Sequence, residues 1–389
     1  MNLRARIPSS YRTDAALVAW TLLAKAAVLV LGVAALAWSE GRIPSLLEPW
    51  HRWDAPHFTD LAVLGYRAED PGYLATPGDY AQASPGHLPR FIVFPPLFPS
   101  LIAVVNAVIA DPVVAAFVVS TVASLFVAPI LYRLVAADLD PRVARWSAAL
   151  LLVFPTAFFL HIGYTESLFL ALAFGSLWTA RERRWWMAAI LACLATLTRL
   201  NGLILAPALG VEGWLQWRSD RRVDPAALLA PAGALVGFGV YLALNAAVHG
   251  DPLAFTEMQR TYWNKELAPP WEGILGMVEM TRHENPAWAF TLGWMELLFT
   301  GIALAATLAT IVWLRPTWGV WMGGSWLLVT STGYVQSVPR YSLALFGVVV
   351  WGAIAANRWP RLGWLIGIAS AAVMAHFAWR FGSWGIGPH

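Results

Sequence analysis

The stretch FIVFPPLFPSLIAVVNAVIA, residues 91–110, is apolar enough for a membrane, yet Pro95, Pro96 and Pro99 crowd its first half. Proline removes backbone donors and clashes with the preceding turn, so an unbroken crossing here is disfavoured. How this run is read decides which way every later segment faces. As a full crossing it would put the short basic loops Arg181–Arg184 and Arg218–Arg222 outside, against the positive-inside bias. As a re-entrant or surface-lying element it leaves both loops in the cytoplasm, together with Arg4, Arg6 and Arg12 before the first apolar segment.

Working outward, that reading gives eleven transmembrane spans. They lie near Ala15–Trp38, Val113–Val135, Val143–Leu160, Glu166–Ala180, Trp185–Leu200, Leu203–Trp217, Ala226–Val248, Ala287–Leu314, Thr317–Gly333, Tyr341–Ala356 and Leu362–Trp379. The chain reads as one all-α, polytopic membrane domain over residues 1–389. Residues 39–112 form a first external loop with juxtamembrane and re-entrant elements, and 249–286 a second. The first loop carries Gly/Pro punctuation at Pro71-Gly72, Pro77-Gly78 and Pro85-Gly86, and an amphipathic stretch around Asp54–Tyr66.

Composition agrees. Hydrophobic residues make up 58% of the chain, charged residues 13%, and the mean hydropathy is +0.58, too apolar for a water-soluble core. The first apolar segment is longer than the core of a cleavable signal peptide. A net charge of +3 suggests no nucleic-acid partner, because the arginines flank membrane segments. The single cysteine, Cys193, permits neither an intrachain disulfide nor a cysteine metal cage.

Chemistry concentrates on the external side. The run Trp50–Phe58, WHRWDAPHF, holds a carboxylate among aromatic rings beside the bilayer, an expensive placement that invites a functional role for Asp54. The alternative is a wet loop in which Asp54 caps a short helix. On the same side fall Arg52, Trp53, His57, His161, Tyr164, Thr165, Glu166, Arg199, Asn201, Gln259, Trp263, Arg340 and Tyr341, mostly at span ends, where a bundle would gather them around one cavity. Glu166 reads equally as a first-turn residue after an N-cap Thr165. Arg199 and Arg340 each need an anion near lipid. A phosphate suits the guanidinium fork, and snorkelling to the interface is the alternative. His57 reads as a hydrogen-bonding partner, since no second histidine stands at metal-ligand spacing; no metal site and no cofactor are expected. Trp50, Trp53 and Trp263 stand inside loops, away from an aromatic belt.

Trp53-Asp54-x-x-His57-Phe58 followed by Gly65-Tyr66 resembles the first-loop motif of the PIG-V mannosyltransferases, which add the second mannose in GPI-anchor synthesis. The resemblance continues through Phe94–Pro99, Phe154-Pro155, Gly163-Tyr164-Thr165-Glu166-Ser167-Leu168-Phe169, Thr198–Gly202 and Pro339-Arg340-Tyr341, in the family's order across most of the chain. Pro56 departs from it, and so does a composition of 24 Arg to 2 Lys, which suggests GC-rich coding and a bacterial-type member without the family's own acceptor. The resemblance implies a GT-C-type helical bundle with amphipathic helices in the first external loop. It also implies a glycosyltransferase with a polyprenyl-phosphate sugar donor, mannose by analogy, and Asp54 as the base, with Glu166 competing for that role. A glycolipid or glycan acceptor, inversion, metal independence and a plasma-membrane site on the external face complete the expectation. The rival readings are a polyprenyl-lipid flippase or transporter, and a non-catalytic subunit that binds isoprenoid lipid. Against transport, the charges cluster on one side and no inverted repeat is visible.

Overall fold

The computed structural model describes residues 9–66, 88–222 and 224–383. Arg4, Arg6 and the Gly/Pro punctuation at 71–86 lie outside the described residues. The described residues are mostly helical, with no strand and one isolated antiparallel bridge between Leu267 and Thr332.

Helix α1 (Ser9–Glu40) is followed by the short α2 (Asp54–Leu64) and α3 (Leu97–Ile109), then by α4 (Pro112–Ala136) and α5 (Pro141–Leu152). Thirteen residues make α3 about 20 Å long, short of the ~30 Å hydrocarbon core, and it packs on α2 and α4. The prolines explain its late start: Pro95 and Pro96 fall before the first turn, and Pro99 occupies that turn, where no N–H partner is needed.

Next come α6 (Glu166–Arg181), α7 (Trp185–Thr198), α8 (Leu205–Asp220) and α9 (Leu229–His249). Here α9 lies directly on α7. A Cβ on Gly233 would fall 2.1 Å from the Ala189 carbonyl oxygen, and one on Gly237 2.5 Å from that of Cys193. This small-xxx-small pair lets two backbones touch where no hydrophobic force between lipid-facing helices would hold them.

The second external segment folds into α10 (Ala254–Trp263) and α11 (Pro270–Met280). A span then begins as α12 (Pro286–Trp288), passes through a π-helical stretch (Ala289–Trp294) and continues as α13 (Met295–Trp313). It is followed by α14 (Pro316–Thr330), the one-turn α15 (Val338–Tyr341), α16 (Gly347–Arg358) and α17 (Pro360–Gly382). The segment from α15 to α16 is bent by 70°.

Among the described residues five helices are long and apolar enough to cross a membrane, six if the bent α15–α16 pair is one span. The apolar windows of Pro225–His249 and Pro360–Gly382 are only 22% buried within the protein, so lipid must cover the rest. Multi-pass membrane insertion follows. The core runs through α4, α5, α6, α7 and α16, and α17 returns to lie along α1.

Two polar layers cap opposite ends of α6, about 24 Å apart for sixteen residues. One contains Glu166 and the cavity described below. In the other, Arg315 donates in bidentate fashion to Glu212 at 2.8 and 2.7 Å and to Asp138 at 3.1 Å, while Arg181 reaches Asp138 at 3.0 Å. Thr317 and Gln216 complete the bonding of buried Glu212, and Arg183 pairs with Asp220.

Candidate active site

The motifs scattered along the sequence interlock. Trp53 is held at φ 56° immediately before α2, a strained position for a bulky residue of the kind that persists when its surroundings over-determine it. Asp54 is then the first residue of α2, and Pro56 is tolerated because it falls in that first turn. The carboxylate does not cap its own helix. Its Oδ2 instead accepts from Arg340 Nη1 at 2.6 Å, across 286 residues of sequence.

Glu166 opens α6, and Thr165 precedes it without capping through its side chain. Arg199 Nη1 donates both to the Thr165 hydroxyl (2.8 Å) and to Glu166 Oε1 (2.6 Å), and Arg340 Nε reaches the same Oε1 at 2.5 Å. Two carboxylates and two guanidinium groups thus form one neutral chain, buried at Arg340 and Glu166 and half-buried at its ends: Asp54, Arg340, Glu166, Arg199.

The remaining motif residues hold this chain in place. Tyr164 Oη donates to the Arg52 carbonyl at 2.6 Å, fixing the loop before Asp54; burial pushes the Tyr164 phenol well above its ordinary pKa, so it stays a donor. Thr156, beside Phe154-Pro155, donates to the Pro339 carbonyl at 2.7 Å. Gly65 ends α2 at φ 72°, turning Tyr66 back so that its hydroxyl reaches the Phe94 carbonyl at 2.7 Å. Arg52 Nη1 donates to the Phe381 and Gly382 carbonyls at the C-terminus of α17, where the helix dipole favours a cation. In Arg199-Leu200-Asn201-Gly202 the glycine is forced by close approach, because a Cβ there would lie 2.4 Å from the Thr196 nitrogen.

A cavity of about 600 Å³ opens against this chain. Of the candidates read from the sequence, Arg52, Trp53, Asp54, His57, Thr165, Arg199, Asn201, Gln259, Trp263, Arg340 and Tyr341 line it. Glu166, Tyr164 and His161 do not: all three are buried behind the wall. Glu166 braces the arginines, Tyr164 ties down the loop, and His161 takes no part in the lining, its carbonyl receiving the Lys25 ammonium at 2.7 Å. Burial pushes His161 down to about 3. Asp54 keeps 29% of its side chain exposed, against 5% for Glu166, so Asp54 is the carboxylate that faces into the cavity.

Burial raises the Asp54 pKa, but Arg340, with help from His57 and Arg199, more than offsets this and holds it below the usual carboxylate range. The arginines depart from their sequence reading. Neither snorkels, and the anion each requires comes from the chain itself. Their partners lie 33, 174 and 286 residues away, beyond what local sequence can show.

The sequence reading missed Lys265. It lines the cavity with its ammonium 5.7 Å from the Tyr341 ring centre, and Arg199 lies 5.0 Å from the same ring. Among the described residues no carboxylate pairs with it. Its rarity was a signal, since the chain has two lysines. The lining also carries an aromatic cluster: His57 stacks on Phe91 at 4.2 Å, and Trp263 meets Phe91 and Phe94 edge-on.

A helical membrane bundle with its polar cavity formed by the first loop and late broken helices is the GT-C arrangement, and solved structures of that class superpose on this chain. ArnT from Cupriavidus metallidurans, solved bound to undecaprenyl phosphate, aligns with a TM-score of 0.54 and 16% identity over 92% of this chain and 64% of that one. The Archaeoglobus fulgidus oligosaccharyltransferase tethered with an acceptor peptide aligns with a TM-score of 0.50 and 13% identity over 95% of this chain and 56% of that one. The protein therefore has a GT-C-type fold.

Its sequence narrows the class. A family model described as Mannosyltransferase (PIG-V) matches residues 37–212. GPI mannosyltransferase 2 of Schizosaccharomyces pombe is 27% identical over 247 residues, 57% of this chain. The match covers 48% of that relative's own length, so this chain spans about half of it. Over these stretches the chain is similar to the PIG-V mannosyltransferases, as its motifs suggested.

Proposed function

We propose that this protein is a membrane glycosyltransferase, specifically a mannosyltransferase, that takes its sugar from a polyprenyl-phosphate donor and passes it to a lipid- or glycan-linked acceptor. The observation that carries this reading is the placement of Asp54, facing the cavity while fixed by Arg340. The PIG-V likeness supports mannose. The ArnT neighbour, solved with undecaprenyl phosphate, supports a polyprenyl-phosphate donor. The cavity would face the external side of the plasma membrane, since the opposite polar layer carries the basic loops at Arg181–Arg184 and Arg218–Arg222.

In this mechanism the acceptor hydroxyl oxygen attacks the anomeric carbon from the Asp54 side. Its proton passes to Asp54, and the bond from that carbon to the phosphate oxygen breaks with its electron pair, inverting the centre. A carboxylate with a lowered pKa is a weak base, but the attacking oxygen becomes strongly acidic as its new bond forms. The departing phosphate already carries charge and needs no strong acid. The four-residue chain of Asp54, Arg340, Glu166 and Arg199 is neutral, so Lys265, which forms no ion pair among the described residues, adds positive charge beside it, with Arg199 and Arg340 adding donors at the cavity wall. No step is routed through a metal. The stacked aromatic wall of His57, Phe91, Phe94 and Trp263 offers a surface for a sugar ring.

Purified protein in lipid nanodiscs, given polyprenyl-phosphate mannose and a membrane glycolipid extract, tests the reading by mass spectrometry. Donor consumption with release of polyprenyl phosphate and a hexose added to the acceptor is expected. Relocation of intact donor between leaflets would instead identify a flippase. Binding of donor without turnover over any acceptor tried would favour the non-catalytic subunit.

A further inference from the structure

Glu296 stands at the second position of α13, just past the π-helical stretch, and is 1% exposed. Its Oε1 accepts the backbone N–H of Ser337 at 2.8 Å, and its Oε2 accepts that of Val338 at 2.7 Å. These amides begin α15, the single turn whose third residue is Arg340. Ser337 is held at φ 72°, in the left-handed region that a serine rarely adopts. Such a turn does not persist by its own preference and needs outside restraint. Thr156 supplies one restraint on the Pro339 carbonyl; Glu296 supplies the two at its start. A buried carboxylate in a span is costly and marks a role, and the bonds of Glu296 go to the Ser337 and Val338 amides, not to the Asp54–Arg340–Glu166 chain.

We propose that Glu296 is a positioning residue: by clamping the Ser337 and Val338 amides it sets Arg340 between Asp54 and Glu166. The proposal rests on the reading of Asp54 as the base. Arg340 approaches Asp54 from α15, Arg199 from the α7–α8 connector, Tyr164 from the turn before α6 and His57 from α2 itself. Of these, the Arg340 segment is the one tied to Glu296.

Glu296→Gln is the sharpest test. It keeps shape, but its amide presents a donor where one backbone N–H needs an acceptor, so one of the two clamps becomes a repulsion. Two readouts are taken on the full-length protein in nanodiscs. Hydrogen exchange of the peptide spanning 334–343 should rise at least tenfold in E296Q. The kcat should fall about ten- to a hundredfold with donor KM changed less than threefold, and the acid limb of the kcat–pH profile should move upward as Arg340 loosens from Asp54. If E296Q does not fold, Glu296→Asp, which keeps the charge but withdraws it by one methylene, is measured in its place and should show the same changes to a smaller degree. Unchanged exchange in these variants overturns the clamp. Faster exchange with wild-type kcat and acid limb overturns the positioning role. If the wild-type protein transfers no sugar, the functional reading fails instead, and the exchange data still decide whether Glu296 holds the turn.

Discussion

Replacing Asp54 by Asn removes the proposed proton acceptor while leaving an oxygen that Arg340 can still address. Arg340 Nη1 lies 2.6 Å from Asp54 Oδ2, and its Nε is also held by Glu166 at 2.5 Å. Neutralising Asp54 therefore does not orphan the buried guanidinium. The structural cost is that of weakening one charged hydrogen bond, about 1–3 kcal/mol, below the ~3–5 kcal/mol of stranding a buried charge. Turnover should fall far more, by roughly two to four orders of magnitude for a lost base. At about 1.4 kcal/mol per decade that is roughly 3–5.5 kcal/mol of barrier.

Glu166→Gln should behave in the opposite way. Its Oε1 serves both Arg340 and Arg199, so the variant strands cationic charge and shows itself first as lost stability. The assay is donor consumption by purified variants beside a thermal melt and a donor-binding isotherm. Near-normal turnover in Asp54→Asn together with a folded, donor-binding but inactive Glu166→Gln would refute the assignment and make Glu166 the base. The pH profile adds a check. With its pKa held below the usual carboxylate range by Arg340, Asp54 stays ionised at neutral and mildly acidic pH, so its protonation should not limit activity there. Its contribution to stability has the same sign, present at neutral pH and lost as pH falls through that lowered value.

Lys265→Ala should raise the donor KM about tenfold or more through loss of a charged contact, with Lys265→Arg largely restoring it; steady-state kinetics with an unchanged KM would remove Lys265 from the phosphate site. Arg340→Lys should melt earlier than wild type as well as turn over slowly, because a point charge cannot span Asp54 and Glu166 together; a wild-type melt would contradict the bridging role. His51 and His161 are held neutral by burial, down to about 4 and about 3. The unfolded chain therefore gains protons first as pH drops below about 6.5, and the melting temperature should fall toward about pH 4, less steeply in His161→Phe. With Cys193→Ser as background, a cysteine at position 183 should resist impermeant thiol reagent in intact cells, and labelling there would invert the membrane orientation.

Much of the helical layout was legible because apolar length and proline placement are local properties. The span expected at Val113–Val135 lies within α4 at Pro112–Ala136, and the helix expected at Trp185–Leu200 is α7 at Trp185–Thr198, although its fourteen residues are, like those of α3, short for a full crossing. The span count was less legible. Val143–Leu160 is the twelve-residue α5 followed by irregular chain, and α15–α16 is broken by 70°; neither break follows from hydropathy. The site was legible as a set of residue types and not as a set of contacts. Eleven of the fourteen candidates line one cavity, but that Arg340 meets two carboxylates depends on partners far off in sequence. Glu296 went unnoticed inside an apolar run, although an acid in a span is itself a signal.

The separation of those partners has a consequence during synthesis. Asp54 is made 286 residues before Arg340, an interval of roughly 15–60 s at ~5–20 residues per second. Glu166 can pair early with Arg199, only 33 residues later, but the hydrogen bond to Asp54 must wait for Arg340. The Asp54 carboxylate thus waits through that interval for its Arg340 partner, and the four-residue chain closes only when α15 arrives. A ribosome-bound chain therefore holds α1 to α14 before the Asp54–Arg340 bridge can form, and α16 and the lipid-facing α17 follow it.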